Sequence, residues 1–131
     1  MTLLSLAQEN TLQDEAAVTS VIHRYIEGYI NANEQILREV FAGDAVMNGY
    51  VGERLVAGSP EPFIQRVSSE PALKSLGLEL KYVIEQVAVT GNAAAVVLKE
   101  YEFGDFSFTD YMHLLKRDSS WKIVSKTFST F

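Results

Sequence analysis

The chain contains no cysteine, which excludes disulfides, thiolate nucleophiles and cysteine-bound metals and makes a reducing cytoplasm the expected setting. Histidine is nearly as scarce. The two present, His23 and His113, fall in no HxxxH or similar spacing, so no metal site is expected. Basic residues number 11 against 17 acidic ones, a net charge of -6, and they are scattered rather than striped, which argues against a nucleic-acid partner. No apolar run approaches the ~18 residues that cross a bilayer, so no membrane role is expected. The opening decapeptide carries Leu3, Leu4 and Leu6 without a preceding basic region or a following small-residue cleavage site, and does not read as a signal peptide. Internal repeats, linkers and low-complexity tracts are also missing.

What is there is an ordinary globular composition, 47% hydrophobic and 21% charged over 131 residues, enough for one core. We read residues 1–13 as an N-terminal arm and 14–131 as one domain. Over 14–31 the apolar residues Val18, Val21, Ile22, Tyr25 and Tyr29 recur at helical spacing, opposite Thr19, His23 and Glu27, with Thr11 or Asp14 as cap. His23 and Glu27 are expected to form a solvated pair. A second short helix starts at the N-cap Asn33, carries Ile36, Leu37, Val40 and Phe41, and stops at Gly43. A hairpin about Gly52 joins 45–51 to 54–57. Ser59 and Pro60 then open a third helix carrying Phe63, Ile64 and Val67, which Pro71 helps to end.

The remaining half is strand signal. Leu78, Leu80, Tyr82 and Ile84 alternate toward a Gly91-Asn92 turn; 93–103 returns, Gly104-Asp105 turns, 106–117 descends, Asp118 to Ser120 turns again, and 121–130 closes the sheet. Helices first and an antiparallel meander last give an α+β fold. Apolar residues occupy both strand faces, Phe106, Phe108, Met112 and Leu114 on one and Tyr111 and Leu115 on the other. Helices cover only one face, so the outer face is expected to pack on a second copy in a twofold homodimer.

The stretches Arg24-Tyr25-Ile26-Glu27 and Val40-Phe41-Ala42-Gly43-Asp44-Ala45-Val46 resemble the opening of the nuclear-transport-factor-2-like superfamily. Its ending is matched too: Phe108-Thr109-Asp110-Tyr111, Leu114-Leu115-Lys116-Arg117-Asp118 and Trp121-Lys122-Ile123-Val124-Ser125-Lys126-Thr127-Phe128 resemble the last two strands of the branch labelled putative lumazine-binding. The likeness covers most of 14–128. It implies a cystatin-like cone, three N-terminal helices on the concave face of a curved antiparallel sheet, and implies no single activity, because isomerases, dehydratases, polyketide cyclases and adaptors share it. In the ketosteroid isomerases of this superfamily a carboxylate base works with a tyrosine and a protonated aspartic acid. The ungapped match puts the tyrosine on Tyr25 and the base on Gly49 with Asn48 beside it, and counting back from Ile123 puts the aspartic acid on His113. Neither Gly49 nor Asn48 accepts a proton at neutral pH, which counts against that reaction.

The same register points Tyr111, His113, Val124, Lys126 and Phe128 inward and Asp110 outward; a slip of one residue would make Asp110 the inward carboxylate instead. The candidate ligand-binding set is therefore Tyr25, Tyr29, Phe41, Met47, Tyr50, Phe63, Val67, Tyr111, His113, Lys126 and Phe128, each with a plain core-packing alternative. Lys126 stands out, since a buried ammonium must be paired, neutralised or met by an anionic ligand; its alternatives are snorkelling or pairing with Glu100 or Glu102. Three readings stay open: a pocket for a small apolar or aromatic molecule, neutral or anionic, with no cofactor; an isomerase, dehydratase or cyclase using His113 with Tyr25, or Asp110; and an association subunit whose pocket is filled.

Overall fold

The computed structural model describes residues 3–103 and 105–131, with the backbone path alone for 102 and 103. Helix α1 spans Leu6–Ile30 and so starts before the Asp14 expected from periodicity. A capping box sets its start: the Ser5 hydroxyl accepts from the Gln8 backbone, and the Gln8 side chain accepts from the Ser5 backbone. The first two turns bury nothing, Leu6 being 72% and Leu12 51% exposed, which is why apolar spacing gave no sign of them. Further on Val18, Ile22, Tyr25, Ile26 and Tyr29 form a buried stripe. His23 does not pair with Glu27; its Nδ1 lies 2.8 Å from the Tyr82 hydroxyl, and Glu27 accepts from Arg24.

Helix α2, Glu34–Val40, is capped by the Asn33 side chain accepting from the Ile36 N–H at 3.1 Å. It can lie close to α1 because residue 28 is glycine: a Cβ there would stand 2.8 Å from Ile36 Cγ2. Strand β1 follows at once as Phe41–Val51. Phe41 therefore leaves the helix, and Gly43 lies within a strand rather than ending a helix in the left-handed region, since its φ is not positive. The short strand β2, Arg54–Val56, completes the hairpin around Gly52, at φ +58°. Helix α3, Glu61–Ser69, turns Phe63, Ile64 and Val67 into the core.

The meander is β3 Lys81–Thr90, β4 Ala93–Phe103, β5 Phe106–Arg117 and β6 Ser120–Thr130. Its β3–β4 turn is at Gly91, φ +54°, and its β5–β6 turn places Asp118 and Ser119 at φ +50° and +64°. Leu78 and Leu80 precede β3 rather than open it, and the turn residue Gly104 lies outside the described residues. The sheet order is β2-β1-β6-β5-β4-β3, with β1 parallel to β6 and the other pairs antiparallel.

The three helices cover one face, where Val96, Leu98, Met112, Leu114 and Ile123 are at most 1% exposed. Each such side chain contributes on the order of 1.5–3 kcal/mol by leaving water. One irregularity decides which residues share that face. His113 pairs with Ser125 but Leu114 pairs with Ile123, so Val124 is an extra residue in β6, a bulge. Before it Trp121 and Ile123 point inward; after it Lys126 and Phe128 do. On β5 the inward residues are Asp110, Met112 and Leu114 throughout.

Candidate functional site

Between α1, α3 and the β1, β2 and β5 end of the sheet lies a cavity of about 430 Å³. Its apolar wall comes from Met47, Val51, Val56, Phe63, Phe106 and Phe128, with Phe108 beside them. At its floor three polar side chains converge from α1, β4 and β6: Tyr25, Glu100 and Lys126. Pairing sets the last two beside a fourth, because Leu98 lies opposite Asp110, Glu100 opposite Phe108 and Met112 opposite Lys126, all on the inner face. Asp110 thus stands just behind the floor, 1% exposed, beside Glu100 at 4% and Lys126 at 5%.

The Lys126 Nζ donates to the Tyr25 hydroxyl oxygen at 2.8 Å, and the nearer Asp110 oxygen is 3.7 Å away, an ion pair too long to be a hydrogen bond. Three rings surround the same nitrogen, with centroids at 4.7 Å for Phe63, 5.0 Å for Phe128 and 5.2 Å for Tyr25. Such faces attract a cation most when water is excluded. The Asp110 oxygens and Oε1 of Glu100 receive no N–H or hydroxyl from any other described residue; the two carboxyl groups face each other and share a hydrogen bond when one of them is protonated. Burial drives the Glu100 carboxyl well above its ordinary value, and the nearby Asp110 adds to this while Lys126 opposes it. Glu100 is accordingly the carboxylic acid of the group. Burial likewise lifts the Tyr25 phenol well above its ordinary value, with Glu100 and Asp110 reinforcing the effect, so this hydroxyl keeps its proton. Having accepted from Lys126, it retains one hydrogen to donate.

The mouth is different. Arg54 and Arg66 line it, Arg66 with its guanidinium 5.7 Å from the Phe63 centroid and 3.8 Å from Glu70. Tyr29, on the same side, has its hydroxyl raised to about 12 by burial, partly offset by Arg66. Arg54 makes no ion pair among the described residues. A protein of net charge -6 therefore lines one cavity with two guanidinium groups and an ammonium.

Of the residues expected from sequence, Tyr25, Tyr29, Met47, Phe63, Lys126 and Phe128 line this cavity. Phe41 and Val67 are buried in the core behind it. Tyr50, Tyr111 and His113 are corrections: all three are exposed on the outer face, Tyr50 at 47% and Tyr111 at 50%. The inward register of His113 was counted from Ile123 as if β6 ran unbroken, and the bulge at Val124 shifts it by one. Asp110 takes the inner place, as in the one-residue slip. Arg54, Arg66, Phe106, Phe108 and the floor acid Glu100 were not among the candidates. Glu100 did leave a trace, ending the β4 alternation Ala94, Val96, Leu98 with a charge on the buried face. Gly49, where the isomerase base would sit, faces inward against Phe128; a Cβ there would lie 2.2 Å from the Phe128 carbonyl oxygen and 2.6 Å from its ring. The place of that base is filled by a phenylalanine.

Among the described residues no three His, Asp or Glu side chains are grouped so as to hold a metal ion, and no helix is long and apolar enough to cross a membrane. The fold is shared with a nuclear-transport-factor-2-like protein of unknown function from Silicibacter pomeroyi DSS-3, at a TM-score of 0.83 and 23% identity, covering 92% of this chain and 98% of that one. A second such protein of unknown function, from Shewanella baltica OS155, superposes with a TM-score of 0.78 at 28% identity, over 92% and 95% of the two chains. In sequence the chain is 26% identical over 128 residues to Aldolase FrzH of Cladobotryum sp, covering 96% of this chain and 98% of that protein. The profile of one family matches residues 13–129, and the chain belongs to it: the putative lumazine-binding family of the nuclear-transport-factor-2-like superfamily.

Proposed function

We propose that the cavity binds a small flat molecule with an apolar or aromatic body and an acidic group, the body lying against Phe63, Phe106 and Phe128 and the acid toward Arg54 and Arg66. The observation that carries this is a cavity of about 430 Å³ that combines an aromatic wall with cations at its mouth and floor. Cavities of a few hundred Å³ are of ligand size. The family's description names a flat ring compound, in keeping with such a wall. Thermal shift and calorimetry with cinnamate and 1-naphthoate provide the test. Both acids should raise the melting temperature, their methyl esters should do so less, and replacing Arg54 and Arg66 by Ala together should abolish the difference. No stabilisation by either acid would remove the reading.

A second reading, an enzyme, is favoured by the floor cluster. Tyr25 and Glu100 are proton donors and Asp110 is a carboxylate beside Lys126, the components of general acid–base chemistry, and the chain has a relative named as an aldolase. With His113 on the outer face, the reacting groups in this reading are Tyr25, Glu100, Asp110 and Lys126.

The outer face also carries Val46, Tyr50, Val83 and Tyr111, each between 45% and 50% exposed. We take this stripe as the seat of a second copy, since a twofold axis would bury it against itself, in a cytoplasmic homodimer. Light scattering on Tyr111→Glu should then give half the wild-type mass; an unchanged mass counts against the dimer.

A further inference from the structure

We propose that Lys126 captures an aldehyde or ketone in the cavity as a protonated imine, with Tyr25 handling the proton on the carbonyl oxygen and Asp110 serving as counter-ion. This rests on the cavity being a ligand site. The first observation is the placement of the nitrogen. A lysine serving only to neutralise Asp110 would bond to it directly, yet the gap is 3.7 Å while the bond to Tyr25 is 2.8 Å. Lys126 is thereby held on the cavity side of the carboxylate, and it lines the cavity while Asp110 does not. Lysines desolvated in apolar pockets are the ones that form Schiff bases.

The second observation is the charge that the surroundings favour. Three ring faces at 4.7–5.2 Å and the buried Asp110 carboxylate at 3.7 Å hold one positive charge at this nitrogen. The overall step, ammonium plus carbonyl giving iminium plus water, is balanced in atoms and in charge, so the site holds a monocation before and after. In detail, the ammonium gives a proton to Asp110. The nitrogen lone pair then forms the C–N bond as the carbonyl π pair moves to oxygen, which takes a proton from Tyr25. The carbinolamine nitrogen returns one of its two hydrogens to the Tyr25 phenolate. The oxygen then takes a second proton from Glu100 and leaves as water while the nitrogen lone pair closes the C=N bond, and Asp110 passes its proton on to Glu100, so that Tyr25, Glu100 and Asp110 end as they began and the positive charge is on the iminium nitrogen. Hydrolysis reverses every transfer, and no external oxidant or reductant enters.

Glu100 reaches the same space, being one of the cavity's lining residues, and it is 4% exposed beside Asp110. A carboxylic acid in that position supplies the proton that dehydration of a carbinolamine needs. The arrangement thus contains an amine, two proton donors, a proton acceptor and an apolar wall around one empty volume.

The test is reductive trapping of the intact protein with pyruvate, phenylpyruvate and benzaldehyde in separate reactions, each with sodium borohydride at neutral pH, followed by intact mass and peptide mapping. The expected product adds the mass of the carbonyl compound less one oxygen, at Lys126, for at least one probe. Modification there should exceed that of the exposed Lys74 and Lys81 by roughly tenfold or more, because the cavity holds the carbonyl compound against the amine and the neighbouring groups carry the proton transfers. These two lysines are controls within the wild-type chain, so the result does not depend on a variant that folds. Tyr25→Phe should slow trapping by roughly tenfold while leaving Lys126 present, the loss of one proton donor. Equal labelling of Lys74, Lys81 and Lys126, or labelling of the exposed pair alone, overturns the proposal. If cinnamate still stabilises the protein in that case, the ligand site stands and only the imine falls; if cinnamate has no effect either, both fall.

Discussion

Lys126 on the last strand donates to Tyr25 on the first helix at 2.8 Å across 101 positions of chain, and both groups are withdrawn from water, Tyr25 at 0% and Lys126 at 5% exposure. The bond links the helical lid to the sheet at the cavity floor. Removing the hydroxyl deprives the ammonium of its one close acceptor, and the cost of an unpaired buried donor is about 1–3 kcal/mol. Tyr25→Phe should lower the urea midpoint accordingly without changing its slope. A loss well below 1 kcal/mol would mean that water or Asp110 takes over the vacant position.

Lys126 and Asp110 form a buried pair in which each makes the other tolerable. Truncating one alone leaves an uncompensated charge, at a typical cost of about 3–5 kcal/mol, softened here because a carboxyl group has the option of taking up a proton. Lys126→Met should therefore destabilise strongly, and Asp110→Asn added to it should restore most of the loss. The double-mutant cycle, read by chemical denaturation, should give a coupling of about 1 kcal/mol or more. Additive effects would mean that the 3.7 Å pair contributes nothing to stability.

Glu100 sets a pH dependence with a defined sign. Its carboxyl is raised by burial first and by Asp110 second, so the native state binds a proton that the unfolded chain releases near 4.5. Stability from this group is complete below that value and is lost as pH rises through the folded value. The carboxylates that act oppositely do so at lower pH: Glu61, lowered to about 2 by Arg38 and then Gln65, and Asp14 and Asp44, lowered by Trp121 with Lys116 and by Arg117 respectively, contribute stability that fades only as pH falls. Between pH 5 and 8 wild type should lose more stability than Glu100→Gln, with the two histidines common to both. Parallel melting curves across that window would refute the assignment of Glu100 as a buried acid.

How much of this was visible in the sequence depends on how local each signal is. Val18, Ile22, Tyr25 and Tyr29 announce α1 because helical burial repeats within one element, and the Gly91 and Asp118 turns announce the meander because φ preferences are carried by single residues. Lys126 announced itself because an ammonium among apolar residues conflicts with burial. His113 and Tyr111 were placed wrongly because the facing of a strand is relative: one extra residue, Val124, in a neighbouring strand inverts the count. Val124 differs in no chemical respect from the unbulged valines of β4. The start of β1 was misjudged for a similar reason. Residues 42–45 lie between the register points Phe41↔Ile123 and Val46↔Ser125, an irregular stretch whose Gly43 looks like a helix stop. Arg54 and Arg66 are brought together at one mouth only by the packing of α3 on the sheet, which no local pattern encodes.

Gly49 gives the most direct test of how tightly the cavity end of the sheet is built. It sits opposite Phe128 in the parallel β1–β6 pairing, and a Cβ at this position would come within 2.2 Å of the Phe128 backbone oxygen and 2.6 Å of its ring. The ring borders the cavity and can give way, whereas the carbonyl belongs to the sheet backbone. Gly49→Ala should therefore destabilise by about 1–3 kcal/mol, the usual cost of overpacking. Phe128→Leu should recover only part of this, because it relieves the ring and leaves the backbone contact. If Phe128→Leu restores wild-type stability in full, the ring alone was responsible and the strand spacing is looser than it looks. If Gly49→Ala is neutral, strand β1 has moved off the Phe128 carbonyl and the ring has shifted with it, and the acids that bind the wild-type cavity should bind the variant more weakly by calorimetry.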